Sequence, residues 1–417
     1  MAGSPKSRWL VVVGALLIQL CLGAVYAWSL FNQPLIERYG WDREGVVLTF
    51  SITIATFAFA TIWAGRLQDR IGPRWVATAG GLLLGIGVML TSTADSLMEL
   101  YLYYGLIGGF GIGTAYVCPL ITCVKWFPEK RGLISGIVVG GFGAGGVIFK
   151  PVIMRLMAAY GVNETFFYLG LIYMAAVVAG AQWLRLPPKG YGEAAVGGEK
   201  QLEPHGEKPV SLPNDVTPGE MLRSRQFYLM WVLYLFGCVA GLMVISMAVN
   251  IGTGLAGLDL ASASNAVIVI ALFNAAGRVS WGALSDRMGR KQTLALMYLL
   301  TAGGMFYLGM APVGAVGFFV VISLIGFCFG GFLALFPSKT ADYFGTTHLG
   351  MNYGLVYQAY GLAALVGPVM GTDLPMRTAF LIAGGLSASA VAGTYFLRQP
   401  GVVAEPVRPR YARRPQR

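Results

Sequence analysis

Twelve apolar runs, separated by short polar punctuation, occupy most of the 417 residues of this chain. They fall near 9–31, 46–64, 75–94, 98–124, 132–157, 164–186, 226–251, 262–285, 292–311, 314–336, 350–372 and 377–397. Each is close to the roughly 20 residues with which an α-helix crosses a hydrocarbon layer about 30 Å thick. Composition agrees, because 12% charged residues against 56% hydrophobic ones cannot cover a water-facing surface, which takes about 25% charged. Glycines such as Gly136, Gly140, Gly141, Gly143, Gly145 and Gly146 sit inside the apolar runs, where small residues let helices approach closely. The pattern predicts an all-α membrane protein with 12 transmembrane helices and the lipid bilayer as its surroundings.

The net charge of +11 does not point to nucleic acid, because its distribution is that of a membrane topology. With both termini on one side, that side holds 24 Lys and Arg. The other side holds only Arg38, Arg43, Arg155 and Arg377. The excess marks the cytoplasmic face, so both termini are expected there, in an inner (plasma) membrane. The basic start followed by an apolar run from Trp9, without a small-residue cleavage site, reads as a first span and not as a removed signal. Cys21, Cys118, Cys123, Cys238 and Cys328 all lie in apolar segments and read as small buried hydrophobes. His205 and His348 fall in loops, and the spans hold no metal or nucleophile cluster. No cofactor, metal site or enzyme activity is expected, and no extramembrane segment is large enough for a receptor's signalling domain.

The stretch 187–221 is rich in Pro, Gly and charge and reads as a flexible linker. It divides the chain into an N-terminal bundle (1–186) and a C-terminal bundle (222–397), followed by a basic tail (398–417), lipid-touching or merely solvated. The halves repeat one another. Gly65-Arg66-Leu67-Gln68-Asp69-Arg70-Ile71-Gly72-Pro73-Arg74 follows the second run, and Gly282-Ala283-Leu284-Ser285-Asp286-Arg287-Met288-Gly289-Arg290-Lys291 follows the eighth. In each copy the first Gly permits close helix contact, the Asp can pair with basic groups across the face, and the second Gly makes a tight turn.

The duplicated loop resembles the cytoplasmic signature of the major facilitator superfamily. The resemblance implies two pseudo-symmetric six-helix bundles around a central site that rock to alternate access, usually as a monomer. Asp69, Arg70, Asp286 and Arg287 would then form a cytoplasmic latch, with Pro73 standing where the first copy usually has a basic residue.

Arg278 is the sharpest functional signal. It lies eight residues before Asp286 on one apolar run, about 12 Å from the loop at 1.5 Å per residue. That depth is close to the midplane, where a charge needs a partner or a function. Acids are nearly absent from the spans, and Asn274 lies one turn away on the same face. A guanidinium can grip a carboxylate through two parallel N–H bonds, so the cargo is expected to be a small carboxylate anion. Snorkelling, or bonding to backbone carbonyls, is the structural alternative. Lys150, beside Pro151, can snorkel to the outer surface, and a structural or steering role is expected there over direct binding. The aromatics Tyr26, Trp28, Tyr116, Phe329, Phe332, Tyr357 and Tyr360 are candidates to surround a cavity. Tyr116 and Tyr360 are the best placed to hydrogen-bond a substrate.

Several strings narrow the resemblance. Gly23-Ala24-Val25-Tyr26-Ala27-Trp28-Ser29-Leu30, Lys125-Trp126-Phe127-Pro128-Glu129-Lys130-Arg131-Gly132-Leu133, Ala334-Leu335-Phe336-Pro337-Ser338 and Asn352-Tyr353-Gly354 closely resemble the bacterial oxalate–formate antiporter family. The second string is also similar to the span-5 signature of the monocarboxylate transporters. Two departures bear on the cargo. The oxalate carriers' second intramembrane cation, a Lys, is Tyr360 here, and one cation suits one negative charge. The monocarboxylate transporters' Asp, four residues before the Arg and implicated in proton coupling, is Asn274 here. The resulting expectation is a carrier of lactate- or pyruvate-like monocarboxylates, with H+ as co-transported partner. Arg278, Asn274, Tyr116, Tyr360, Tyr357 and Tyr26 would hold the substrate. The alternative is an oxalate–formate-type antiporter.

Overall fold

The structure, a computed structural model, describes residues 5–188, 191 and 215–397. Among them are twelve helices long and apolar enough to cross a membrane. In lipid a backbone has no water to bond, so segments that cross it satisfy their own N–H and C=O groups as helices. We number the helices spans 1 to 12: Arg8–Ala27, Glu44–Ile71, Pro73–Thr91, Leu97–Trp126, Pro128–Tyr160, Val162–Ala181, Arg225–Gly254, Ser262–Met288, Arg290–Met310, Ala315–Phe344, Leu349–Gly371 and Met376–Phe396. Every expected apolar run lies on one of them, and several helices extend past their runs into polar sequence.

Spans 1–6 and 7–12 form two bundles with matching internal contacts. Span 3 packs on span 6 as span 9 packs on span 12, and span 2 on span 4 as span 8 on span 10. The bundles meet along two crossings related by the same symmetry, span 5 on span 8 and span 2 on span 11. Glycines set how close these crossings are. A Cβ on Gly65 would lie 2.1 Å from the Gly350 carbonyl oxygen, and one on Gly132 would lie 2.4 Å from that of Gly282. Any side chain at these positions would force the helices apart. The second glycine of each repeated loop also fills its expected role, since Gly72 (φ +91°) and Gly289 (φ +88°) turn the chain in the left-handed region.

Two spans are irregular. Span 1 breaks at the Gly23–Ser29 string: an α-helix to Gly23, a 3-10 turn over Ala24–Ala27, then a second helix Ser29–Tyr39. Span 4 contains a π-helical stretch over Tyr101–Gly108 and carries Pro119 within its α-helical part.

The expected basic tail lies outside the described residues, as does most of the expected linker. The linker's end is described, and it is folded where flexibility was expected. Val216 N–H donates to the Phe344 carbonyl at 3.0 Å, and Asn352 donates to the Val216 carbonyl at 3.0 Å. Thr217 and Glu220 form a capping box on the helix Pro218–Arg223. The Asp215 carboxylate accepts N–H bonds from Thr346 (2.8 Å) and Thr347 (3.0 Å), and a bond from the Thr347 hydroxyl. Partial burial works against its charge, but these donors outweigh it and hold the Asp215 pKa below the usual carboxylate value. The partners are some 130 residues away in sequence, so local composition could not announce them.

Candidate functional site

Arg278 is 2% exposed, and Asn274, one turn earlier on span 8, is buried with it. The guanidinium Nε donates to Asn274 Oδ1 at 2.8 Å, and Nη1 donates across the bundle interface to the Val139 carbonyl of span 5. Gly143 makes room for the head group, since a Cβ there would come within 3.0 Å of Nη1 and 3.1 Å of Cζ. Both partners are neutral acceptors, so among the described residues the charge is hydrogen-bonded without an ion-pair partner. These bonds occupy two of the five N–H donors of a guanidinium. A buried cation in this condition favours an anion strongly, because low-dielectric surroundings magnify the attraction.

Aromatic side chains from both bundles pack beside it. Tyr116 of span 4 lies against Phe57 (5.0 Å between ring centroids), Phe142 (5.2 Å) and Tyr357 (5.4 Å). Tyr357 stacks on Tyr360 at 5.0 Å, their i, i+3 spacing on span 11 placing both rings on one face. The Tyr360 hydroxyl lies 3.4 Å from that of Tyr26 in the broken segment of span 1. Phe142, which both Tyr116 and Tyr26 contact, is the chain neighbour of Gly143, against which the Arg278 head group lies. The structure thus brings Arg278, Asn274, Tyr116, Tyr357, Tyr360 and Tyr26 to one locus where the halves meet. Gln19 holds Tyr116 in place by donating to its backbone carbonyl at 3.2 Å.

The other aromatics are scaffolding. Trp28 donates to the Val46 carbonyl at 3.2 Å and packs on Tyr104. Phe332 packs on Tyr298, and Phe329 lies over Gly241. Sequence reading missed Val139, Gly143, Phe57 and Phe142. Val139 contributes a backbone oxygen and Gly143 an absent side chain, and neither leaves a mark in residue type.

The two loop aspartates meet both backbone and basic groups. Asp69 caps the N-terminus of span 11, accepting from Gly350 (3.2 Å) and Met351 (2.9 Å) N–H groups. Asp286 caps the helix that begins at Arg131 in span 5, accepting from Gly132 (2.9 Å) and Leu133 (2.8 Å). Each Asp therefore reaches across the interface to backbone donors, in addition to the basic side chains expected. A carboxylate at a helix N-terminus satisfies orphan N–H groups and the positive end of the dipole. Arg70 and Arg287 are exposed and stand outside these contacts. The basic groups that do take part are Lys125, 3.7 Å from Asp69, and Arg290, 3.0 Å from Asp286. Asp342 adds a bridge between the halves, pairing with Arg131 at 2.7 Å and with Arg290.

Sequence and fold are shared with known proteins. A model of the Major Facilitator Superfamily matches residues 13–368 and, in a second match, 247–415. The chain belongs to the major facilitator superfamily. Among superfamily relatives, an uncharacterised MFS-type transporter of Escherichia coli is 36% identical over 360 residues, covering 86% of each chain. The oxalate:formate antiporter of Oxalobacter formigenes is 31% identical over 397 residues, covering 94% of this chain and 91% of its own. Apicoplast pyruvate carrier 1 of Toxoplasma gondii is 25% identical, covering 89% and 86% respectively. Of solved structures, the proton:xylose symporter XylE superposes with a TM-score of 0.69 at 15% identity over 95% of this chain and 97% of its own, a likeness of fold alone. The chain is a multi-pass membrane transporter of this superfamily, with two pseudo-symmetric bundles of six helices.

Proposed function

We propose that this transporter carries small monocarboxylates, of the size of lactate or pyruvate, by alternating access. The observation that carries the reading is Arg278, buried at the meeting of the bundles and bonded, among the described residues, to the neutral oxygens of Asn274 and Val139. Tyr116, Tyr357, Tyr360 and Tyr26 complete a wall of rings and hydroxyls beside it. One cation at this locus matches one carboxylate, and Tyr360 supplies a hydroxyl in place of a second charge. An anion on Arg278 yields a neutral occupied site, which can cross the closed intermediate more readily than a bare charge. Relatives named for oxalate, formate and pyruvate support small carboxylates as the cargo class. The charge distribution supports a cytoplasmic location for both termini and for the Asp69 and Asp286 loops, in a plasma membrane.

Coupling to H+ is the reading we favour for net uptake. Anion exchange is the second, favoured by the 31% identity to the oxalate:formate antiporter. Counterflow in proteoliposomes separates them, with lactate, pyruvate, formate and oxalate each presented with and without a pH gradient. Lactate or pyruvate flux that accelerates with an inward proton gradient is the expected result. Exchange confined to oxalate and formate, with lactate and pyruvate ignored, would overturn the reading of a lactate- or pyruvate-sized cargo. Arg278→Gln is expected to yield folded, monodisperse protein without flux, and lactate transport retained in that variant would remove Arg278 from the site.

A further inference from the structure

Span 5 turns one stripe toward the opposite bundle. A Cβ on Gly132 would meet Gly282, one on Gly136 the Arg278 carbonyl, one on Gly140 Val279, and one on Gly143 the Arg278 guanidinium. One turn further the nearest neighbours change, and a Cβ on Gly146 would lie closest to Tyr26 and Ala27 of its own half. Lys150 is the next polar side chain along this line. Seven residues after Gly143, it returns to the same side of the helix within about 20°, about 10 Å further along the axis. It is exposed. Span 8 shows the matching change from its own side, since Ala271, seven residues before Arg278, is exposed too. Spans 5 and 8 are therefore in contact from the loop end up to the level of Arg278 and part beyond it, while the Tyr26–Tyr360 hydroxyl contact still joins the halves beside that level. Lys150 stands on this part of span 5, on the side of the helix turned toward the opposite bundle.

We propose that Lys150 is a docking point for the carboxylate on its way to Arg278. This rests on the carboxylate reading of the central site and assigns it a second station. An ammonium on a flexible four-carbon stem keeps its hydration and makes point contacts. It suits a transient hold, whereas the planar guanidinium of Arg278 suits the fixed, two-pronged one. A cation in a cleft with low-dielectric walls also raises the local concentration of anions, an effect that weakens as salt is added. The site proper keeps a single positive charge, and the pathway to it carries a second.

The test uses full-length protein in proteoliposomes, with whichever of lactate, pyruvate, formate and oxalate the wild type exchanges. Lys150→Gln is expected to raise KM about threefold to tenfold, with kcat within about twofold, and to flatten the fall of kcat/KM with ionic strength. Lys150→Arg should behave as wild type. Lys150→Cys should regain the wild-type KM after a cationic, membrane-impermeant methanethiosulfonate and not after a neutral one; the five native cysteines are buried. An unchanged KM and salt dependence in Lys150→Gln would overturn the proposal while leaving the central site intact. Equal rescue by the neutral reagent would also overturn it, by making Lys150 a matter of bulk. A wild type that exchanges none of the four anions would bring down the carboxylate reading, and this inference with it.

Discussion

Arg278 and Asn274 were legible because a charge and an amide in an apolar helix have few reasons to be there. Val139 and Gly143 were not, because what they supply is a carbonyl and an empty volume. Two substitutions follow from these contacts. Gly143→Ala places a methyl about 3.0 Å from the Arg278 head group, so the guanidinium must shift by a few tenths of an ångström. Displacements of about 1 Å cost roughly a hundredfold in positioned chemistry, so a loss of about tenfold in transport kcat/KM is expected, with no change in thermal stability beyond a few degrees. Asn274→Asp puts a carboxylate where an amide oxygen now accepts at 2.8 Å. It would satisfy Arg278 permanently and compete with the cargo. A rise in KM of about tenfold or more at neutral pH is expected from the loss of one charge-assisted bond. Uptake should recover as the medium is acidified and the new carboxylate takes up a proton. A pH-independent KM in that variant would argue that Arg278 and the substrate do not meet.

At the scale of elements, the twelve helices and the duplicated loops could be read directly, since apolar length and a repeated Gly-x-x-x-Asp are local signals. The break in span 1 and the folded end of the linker depend on distant partners. Gly23 packs against the Phe142 carbonyl of span 5, and Asp215 against the loop between spans 10 and 11. The caps made by Asp69 and Asp286 are each expected to contribute up to about 2 kcal/mol to the closed loop end, as charges at partly buried helix termini do. Asp69→Asn or Asp286→Asn should therefore open that end more often. The measurable outcome is faster labelling of a cysteine introduced at Ser135 by a reagent supplied from the loop side. The Asp215 clasp should depend on pH in a defined direction. Its pKa is lower in the folded chain than in the unfolded one, so its contribution is present above the ordinary carboxylate value of about 4. The contribution is lost as pH falls through the depressed folded value. Thermal stability of Asp215→Asn should thus differ from wild type at neutral pH and converge with it in strong acid.

For the whole molecule, the two crossings and the Asp342 bridge define a carrier shut at the end that bears the Asp loops, with spans 5 and 8 parting beyond Arg278. Ser135 and Ser338 mark the shut region, their hydroxyl oxygens 2.9 Å apart across the bundles. A Ser135→Cys, Ser338→Cys pair should oxidise to a disulfide, whose S–S bond of about 2.05 Å needs a similarly close approach. Transport should stop on oxidation and resume with reductant; continued flux through the cross-linked form would contradict alternating access. The glycine crossings bear on the speed of this cycle. At Gly65 with Gly350 and Gly132 with Gly282, backbone rests on backbone, so the bundles separate there without pulling any side chain out of a socket. Glycine has no rotamers to freeze when the surfaces meet again. The seam can part and reseal with little friction, and the hold between strokes falls to a few ionic caps that form or break as units.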